Sequence, residues 1–313
     1  MKIFHQKYIL ENLIVLLSIS YLWINVSLVE KIEILVNILY LYFEFTDCFK
    51  NIEILIISYC LVKIEQKYLY KELLYITFYH QCFLSMFSTN IIYYLIYILL
   101  IFEIPIQIFY ICVDLVLKNF GKLFLDFVFT LIFITLQYFV VSWNNLNFRR
   151  KLFHFFLFII FVTIDSKFDI LIEILLFLSV FLTTNKCFNY ISRKYKNDKD
   201  NGIFPVSHIL LICSCFFPKF FLSEIRQYEA ILICVCILDS FSSIGGLYFK
   251  SMDKSIIGSF FGFFVSILLH YLLQNTFEFF LYFLFMSCVE YLTTFNDNII
   301  LPFSSILFFN FYY

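Results

Sequence analysis

Long, nearly uninterrupted apolar runs recur along this chain, each closed by a short charged cluster. That pattern constrains the fold more than any single motif, because about 20 apolar residues in helical form are what a bilayer's hydrocarbon core demands. The 313 residues are 62% hydrophobic and 14% charged, whereas a soluble domain is roughly 45–50% apolar and about 25% charged. One water-solvated globule cannot bury so much apolar surface. The expectation is an all-α, multi-pass transmembrane helix bundle of roughly 10–13 spans. Secreted disulfide modules, coiled coils and disordered regulators are excluded.

The 46 Phe and 23 Tyr carry little functional information. Ala occurs once, as Ala230, and Arg only four times. These scarce residues have GC-rich codons, so the bias points to an AT-rich coding sequence, a hypothesis that balanced third codon positions would sink. Most aromatics then read as interchangeable lipid-facing bulk. By contrast, five of the six Gly and three of the four Pro lie after residue 200.

A net charge of −1, with no basic stripe alternating with aromatics outside the apolar runs, argues against a nucleic-acid partner. Cys213-x-Cys215 and Cys234-x-Cys236 lack the partner spacing of a tetrahedral metal site and read as small apolar fillers. At the N-terminus, Lys2 and Lys7 precede an apolar stretch with no small-residue cleavage site after it. A retained first span is expected there, not a removed signal.

Residues 1–148 offer apolar segments near 8–29, 31–46, 51–64, 72–88, 90–117 and 122–143, with charges such as Glu30 and Lys63 placed at turns. They form an N-terminal membrane region without a catalytic cluster. From 149 to 313 the segments run near 152–165, 168–186, 203–222, 228–249, 255–273, 276–289 and 298–313. Four polar clusters punctuate them: Arg149-Arg150-Lys151, the loop 186–202, the loop 250–254, and 290–298. Two spans separate successive clusters, so all four belong on one side of the bilayer. The clusters hold ten Lys/Arg, against Lys167, Lys219 and Arg226 on the other side. The excess marks the cytosolic face.

Each cluster carries groups suited to phosphate or metal chemistry. Arg150 and Lys151 offer phosphate donors or a positive-inside anchor, and His154 is an ionisable group inside an apolar run. Asp200, Asn201 and Gly202 precede Pro205, Ser207 and His208 at the start of a span. Asp239 lies in apolar sequence and needs a partner or a cation. Ser242, Gly245 and Gly246 follow it, then Lys250, Lys254, Ser255 and Gly258; the small residues suit either a ligand or a helix–helix interface. Glu290 and Asp297, seven residues apart, share a face if helical. With Asn296 and Asn298 they supply the hard oxygen ligands that Mg²⁺ favours.

These residues resemble the polyprenol kinase superfamily, most closely its dolichol kinases, CTP-dependent lipid kinases of the endoplasmic reticulum membrane. Arg150-Lys151-Leu152-Phe153-His154 is similar to the family's R-K-x-x-H. Asp239, Ser242 and Gly246 follow its D-x-x-A-x-x-x-G spacing, and Lys254, Ser255 and Gly258 resemble K-T/S-x-E-G. Glu290, Thr293, Thr294, Asp297, Asn298, Leu301 and Pro302 match E-x-x-T-T-x-x-D-N-x-x-L-P, the most specific of the motifs. The likeness covers 149–313. Ser242 stands where Ala is usual, Lys250 where a second Gly is expected, and Ile257 where the motif has Glu.

The resemblance implies transfer of the γ-phosphoryl group of CTP to dolichol, for protein glycosylation and GPI-anchor sugar donors. Ser242, Gly246, Lys254, Ser255 and Gly258 would bind the nucleotide. Arg150, Lys151, His154 and His208 would neutralise phosphate charge. Asp239, Glu290, Asp297 and Asn298 would hold Mg²⁺ or another divalent cation, with Asp239 or Asp297 alternatively accepting the hydroxyl proton. A CTP-dependent kinase of another lipid alcohol, such as diacylglycerol, phytol or farnesol, fits the same residues. So does a non-catalytic membrane protein derived from the family.

Overall fold

A computed structural model describes residues 26–44, 50–68, 146–163, 206–222, 224–248, 254–293 and 296–312, with scattered positions in 13–24 and 117–136. Among the described residues all regular structure is helical and there is no strand. Asp200, Asn201, Gly202, Pro205, Lys250 and Thr294 lie outside them, as do the segments 72–88, 90–110 and 168–186.

Helix α1 (Leu28–Glu44) opens on a reciprocal cap. The Ser27 backbone N–H donates to Glu30 Oε2 at 2.5 Å, and the Glu30 N–H donates to Ser27 Oγ at 3.3 Å, as a capping box does. The buried Glu30 also pairs with Lys63 of α2 (Asn51–Tyr68). Glu30 and Lys63 therefore lie within helices rather than at turns. Each neutralises the other, so the apolar packing of α1 on α2 does not exclude them.

Helix α3 (Leu146–Thr163) begins six residues before the apolar segment expected there, drawing Arg150 and Lys151 into the helix. Helix α4 (Val206–Phe216) passes into a tight helical turn, Phe217–Phe220, at Pro218. Helix α5 runs from Ile225 to Tyr248. Its middle, Ile233–Leu238, is wound as a π-helix that delivers Asp239. Such turns add a residue to the helical register and so re-aim the side chains that follow. Helix α6 (Ile256–Gln274) starts on the side-chain cap of Ser255 and ends at Asn275 in the left-handed conformation, φ 54°. Helices α7 (Phe280–Leu292) and α8 (Asp297–Tyr312) complete the bundle.

Helices α5 and α6 are long and apolar enough to cross a membrane, but they sit differently. The apolar window of α5 is 78% buried and that of α6 only 33%, so α5 is the central strut and α6 an outer one. Their crossing is set by glycine. A Cβ on Gly258 would fall 2.5 Å from the Ser242 carbonyl oxygen and 3.0 Å from the Gly246 nitrogen; one on Gly262 would fall 2.7 Å from the Leu238 oxygen. Only a hydrogen at those positions lets the two backbones approach so closely.

The cysteines Cys213, Cys215, Cys234 and Cys236 are free and fully buried. They pack between helices, with Cys215 Sγ 3.5 Å from Cys236 Sγ. The filler role expected of them matches this placement.

Candidate functional site

Two ion-pair clusters form where α3, α5, α6, α7 and α8 meet, and each joins polar clusters that are distant in sequence. The first centres on Asp239, 8% exposed, at the end of the π-helical stretch. Lys151 on α3 donates through Nζ to Asp239 Oδ2 at 2.8 Å, and its Nζ also lies 3.3 Å from the Asp239 carbonyl oxygen. His154, one turn later, places Nε2 3.1 Å from the same Oδ2. Its Nδ1 faces the Arg150 carbonyl oxygen at 2.8 Å. A carbonyl only accepts, so Nδ1 carries the proton of that bond. The partner that Asp239 required is thus the Arg150-Lys151-x-x-His154 turn, whose spacing puts Lys151 and His154 on one helix face.

The second cluster centres on Lys254, just ahead of the α6 cap. Its Nζ is 2.5 Å from Asp297 Oδ1, 2.7 Å from the Glu290 carbonyl oxygen and 3.6 Å from Glu290 Oε1. Sequence spacing had placed Glu290 and Asp297 on one helical face. The structure instead breaks the helix between them: Thr293 is extended, with φ −90° and ψ 145°, so Glu290 ends α7 while Asp297 begins α8. Lys254 brings the two carboxylates together, not helical periodicity.

Burial opposes the Lys254 ammonium, but Asp297 and Glu290 outweigh it and raise its pKa above the ordinary 10.5. Partial burial raises the Asp297 carboxyl above its ordinary 3.8; Lys254 pulls the other way, and the negative charge of Asp239 adds to the rise. The two clusters therefore share one electrostatic field.

Hydrogen bonds extend this site in directions that the motifs did not mark. Ser259 Oγ donates to Glu290 Oε2 at 2.5 Å, and Ser287 Oγ donates to the Ser259 carbonyl oxygen at 2.9 Å. Neither serine stood out in the sequence, where each is one small residue in an apolar run. Asn298 turns inward to α4: its Nδ2 donates to the Ser207 carbonyl oxygen at 3.2 Å, and Ser214 Oγ donates to the Asn298 carbonyl oxygen. The imidazole of His208 lies against Phe153 of α3, ring centroids 4.9 Å apart.

The small residues are distributed between two tasks. Ser242 and Gly258 pack against one another in the α5–α6 crossing, while a Cβ on Gly246 would meet only Ser255 Oγ at 3.6 Å. Ser255 Oγ accepts the Gly258 N–H at 3.0 Å and so caps α6. Among the described residues the buried Ser242 hydroxyl has no hydrogen-bond partner.

The carboxylates are chemically suited to Mg²⁺, yet each is occupied by an ammonium group. Among the described residues no group of three or more His, Cys, Asp and Glu side chains surrounds a common point fit for a metal ion. Of the two ammonium groups Lys254 is the more accessible, with 27% of its side chain exposed against 8% for Lys151. Compared with known proteins, the chain matches no family model, no curated protein and no solved structure.

Proposed function

We propose that this chain is a CTP-dependent lipid kinase of the endoplasmic reticulum membrane, transferring the γ-phosphoryl group of CTP to dolichol and releasing CDP. The observation that carries the reading is the convergence of Lys151, His154, Asp239, Glu290 and Asp297 from four helices with Lys254 from the turn ahead of α6. Phosphoryl transfer asks mainly for positioning and charge neutralisation, and this site concentrates both signs of charge beside apolar helices. In this reading the bundle is multi-pass, with the site on its cytosolic side and the lipid tail in the bilayer.

Lys254 would leave Asp297 to engage the triphosphate, with Gly246 and Ser255 leaving room beside it. Asp297 and Glu290, thus released, would hold a Mg²⁺ ion bound with CTP, which would supply neutralisation of phosphate charge. Lys151 and His154 hold Asp239 in place, and Arg150 and His208 add positive or polar groups nearby. As the lipid oxygen bonds to the γ-phosphorus, its proton passes to Asp239 or Asp297 and the bond to CDP breaks. The test is labelling of dolichol from [γ-³²P]CTP by purified protein. Asp297→Ala should abolish it, and full activity in that variant overturns the site.

A second reading is a non-catalytic membrane protein, favoured because Asp239 and Asp297 each already carry an ammonium partner. Self-satisfied networks of this kind also occur for purely structural reasons. Equilibrium binding of CTP to the purified chain separates the two, since only the kinase reading requires it.

A further inference from the structure

We infer that Ser259 is a positioning residue for Glu290, a role that rests on the lipid-kinase reading of the same site. Glu290 is 4% exposed and Ser259 is 4% exposed, so neither draws its hydrogen bonds from bulk water. The terminal torsion of a glutamate is soft and broad. With Oε2 held by Ser259 Oγ at 2.5 Å, the carboxylate is turned so that Oε1 faces Lys254 Nζ at 3.6 Å. The hydrogen bond is charge-assisted, which makes it both stronger and more directional than one between neutral groups.

Ser259 is itself held from both sides. Its neighbour Gly258 is pressed against the Ser242 carbonyl of α5, and its own carbonyl accepts from Ser287 of α7 at 2.9 Å. The first turn of α6 thus fixes α5 with one residue and α7 with the next. Ser266, two turns further along α6, supplies an internal control: it is also buried, and its hydroxyl donates to the Gly262 carbonyl oxygen of its own helix at 2.8 Å.

The experiment compares Ser259→Ala, Ser259→Cys and Ser266→Ala in the purified full chain, with CTP, Mg²⁺ and dispersed dolichol. Loss of a hydrogen bond to a charged group predicts a fall in kcat of roughly tenfold or more for Ser259→Ala, with a severalfold rise in the Mg²⁺ concentration for half-maximal rate. Ser259→Cys keeps the volume but weakens the donor, so it should fold and fall between wild type and alanine. Ser266→Ala should lose a buried hydrogen bond yet keep kcat within about twofold of wild type. Equal kcat and equal Mg²⁺ dependence in the Ser259 and Ser266 variants would overturn the role.

Infrared spectroscopy decides the same point without turnover. The Glu290 carboxylate band, assigned by its absence in Glu290→Gln, should shift in Ser259→Ala and Ser259→Cys and stay put in Ser266→Ala. An unmoved band in the Ser259 variants refutes positioning. A wild-type protein that phosphorylates no lipid, yet shows the shift, refutes the kinase reading alone.

Discussion

Lys254 and Asp297 are 43 residues apart in the chain and 2.5 Å apart at their charged atoms. That bond spans the break between α7 and α8, because the same ammonium also takes the Glu290 carbonyl at the end of α7. Lys254→Met should leave Asp297 and Glu290 facing one another without a counter-charge. Removing one partner of a fully buried pair costs about 3–5 kcal/mol. Here the two side chains are 27% and 24% exposed, so about 1–3 kcal/mol is expected after screening. Thermal unfolding in detergent measures it, and adding Asp297→Asn should recover part of the loss.

The glycines give a sharper contrast within one motif. Gly258→Ala drives a methyl group to 2.5 Å from the Ser242 carbonyl, whereas Gly246→Ala meets nothing nearer than Ser255 Oγ at 3.6 Å. Overpacking a close crossing costs about 1–3 kcal/mol. Gly246→Ala should be neutral or gain up to about 1 kcal/mol, because Gly246 is interior to a helix. Equal stability of the two variants would mean that α5 and α6 do not cross at Gly258.

How far the sequence revealed this arrangement depended on whether a feature was local. Helical class was legible in the apolar runs, and the segment expected near 255–273 lies within a residue or two of α6, because apolar periodicity is local. The Ser255 cap and left-handed Asn275 that set its ends emerged only in the structure. The need of Asp239 for a partner was equally plain, because a carboxylate in apolar sequence must be paired. Which partner was not plain: Lys151 lies 88 residues away, and no local periodicity encodes a contact between α3 and α5. Glu290 and Asp297 misled for a related reason. Their seven-residue spacing suits one helix, but Thr293 adopts extended backbone between them. Ser259 was invisible because a serine in an apolar run looks the same whether its hydroxyl bonds its own helix or a distant carboxylate.

The pairing of Asp239 with Lys151 and His154 makes the alanine and the double variants differ in the size of their cost. Asp239→Ala strands an ammonium whose side chain is 8% exposed and should cost about 3–5 kcal/mol. Asp239→Leu combined with Lys151→Met replaces both charges with apolar volume, so it should cost much less than Asp239→Ala alone. Chemical denaturation of the three proteins checks the order. Similar losses in the single and double variants would show that the ion pair itself, not the uncompensated charge, carries the stability.

For pH, the sign follows from Lys254. Its folded pKa is raised above 10.5 by its carboxylates. The folded state therefore holds that proton more tightly than the unfolded chain does, and the stability from it is fully present below 10.5. As pH rises through the folded value, that contribution is lost. The stability difference between wild type and Lys254→Met should be flat from neutral pH to about 10 and shrink above it. Thermal melts across that range test it, and a difference that shrinks on acidification from neutral pH instead would assign the effect to another group.

The charged ends of α5 bear on topology. Arg226 lies near its start, 3.9 Å from Glu278 between α6 and α7, and Gln274 at the end of α6 bonds Glu229 there. At the other end, Lys254 follows α5 and meets Asp297. A helix of 24 residues is about 36 Å long, enough to pass a hydrocarbon core of about 30 Å. If α5 spans, these two polar ends face opposite compartments, and the Lys/Arg excess assigns the Lys254 end to the cytosol. An N-glycan acceptor inserted at 275–277 should then be modified, and one at 250–252 or within 186–202 should not. Modification at 250–252 would invert the orientation and place the site in the lumen, where a cytosolic nucleotide donor does not reach it.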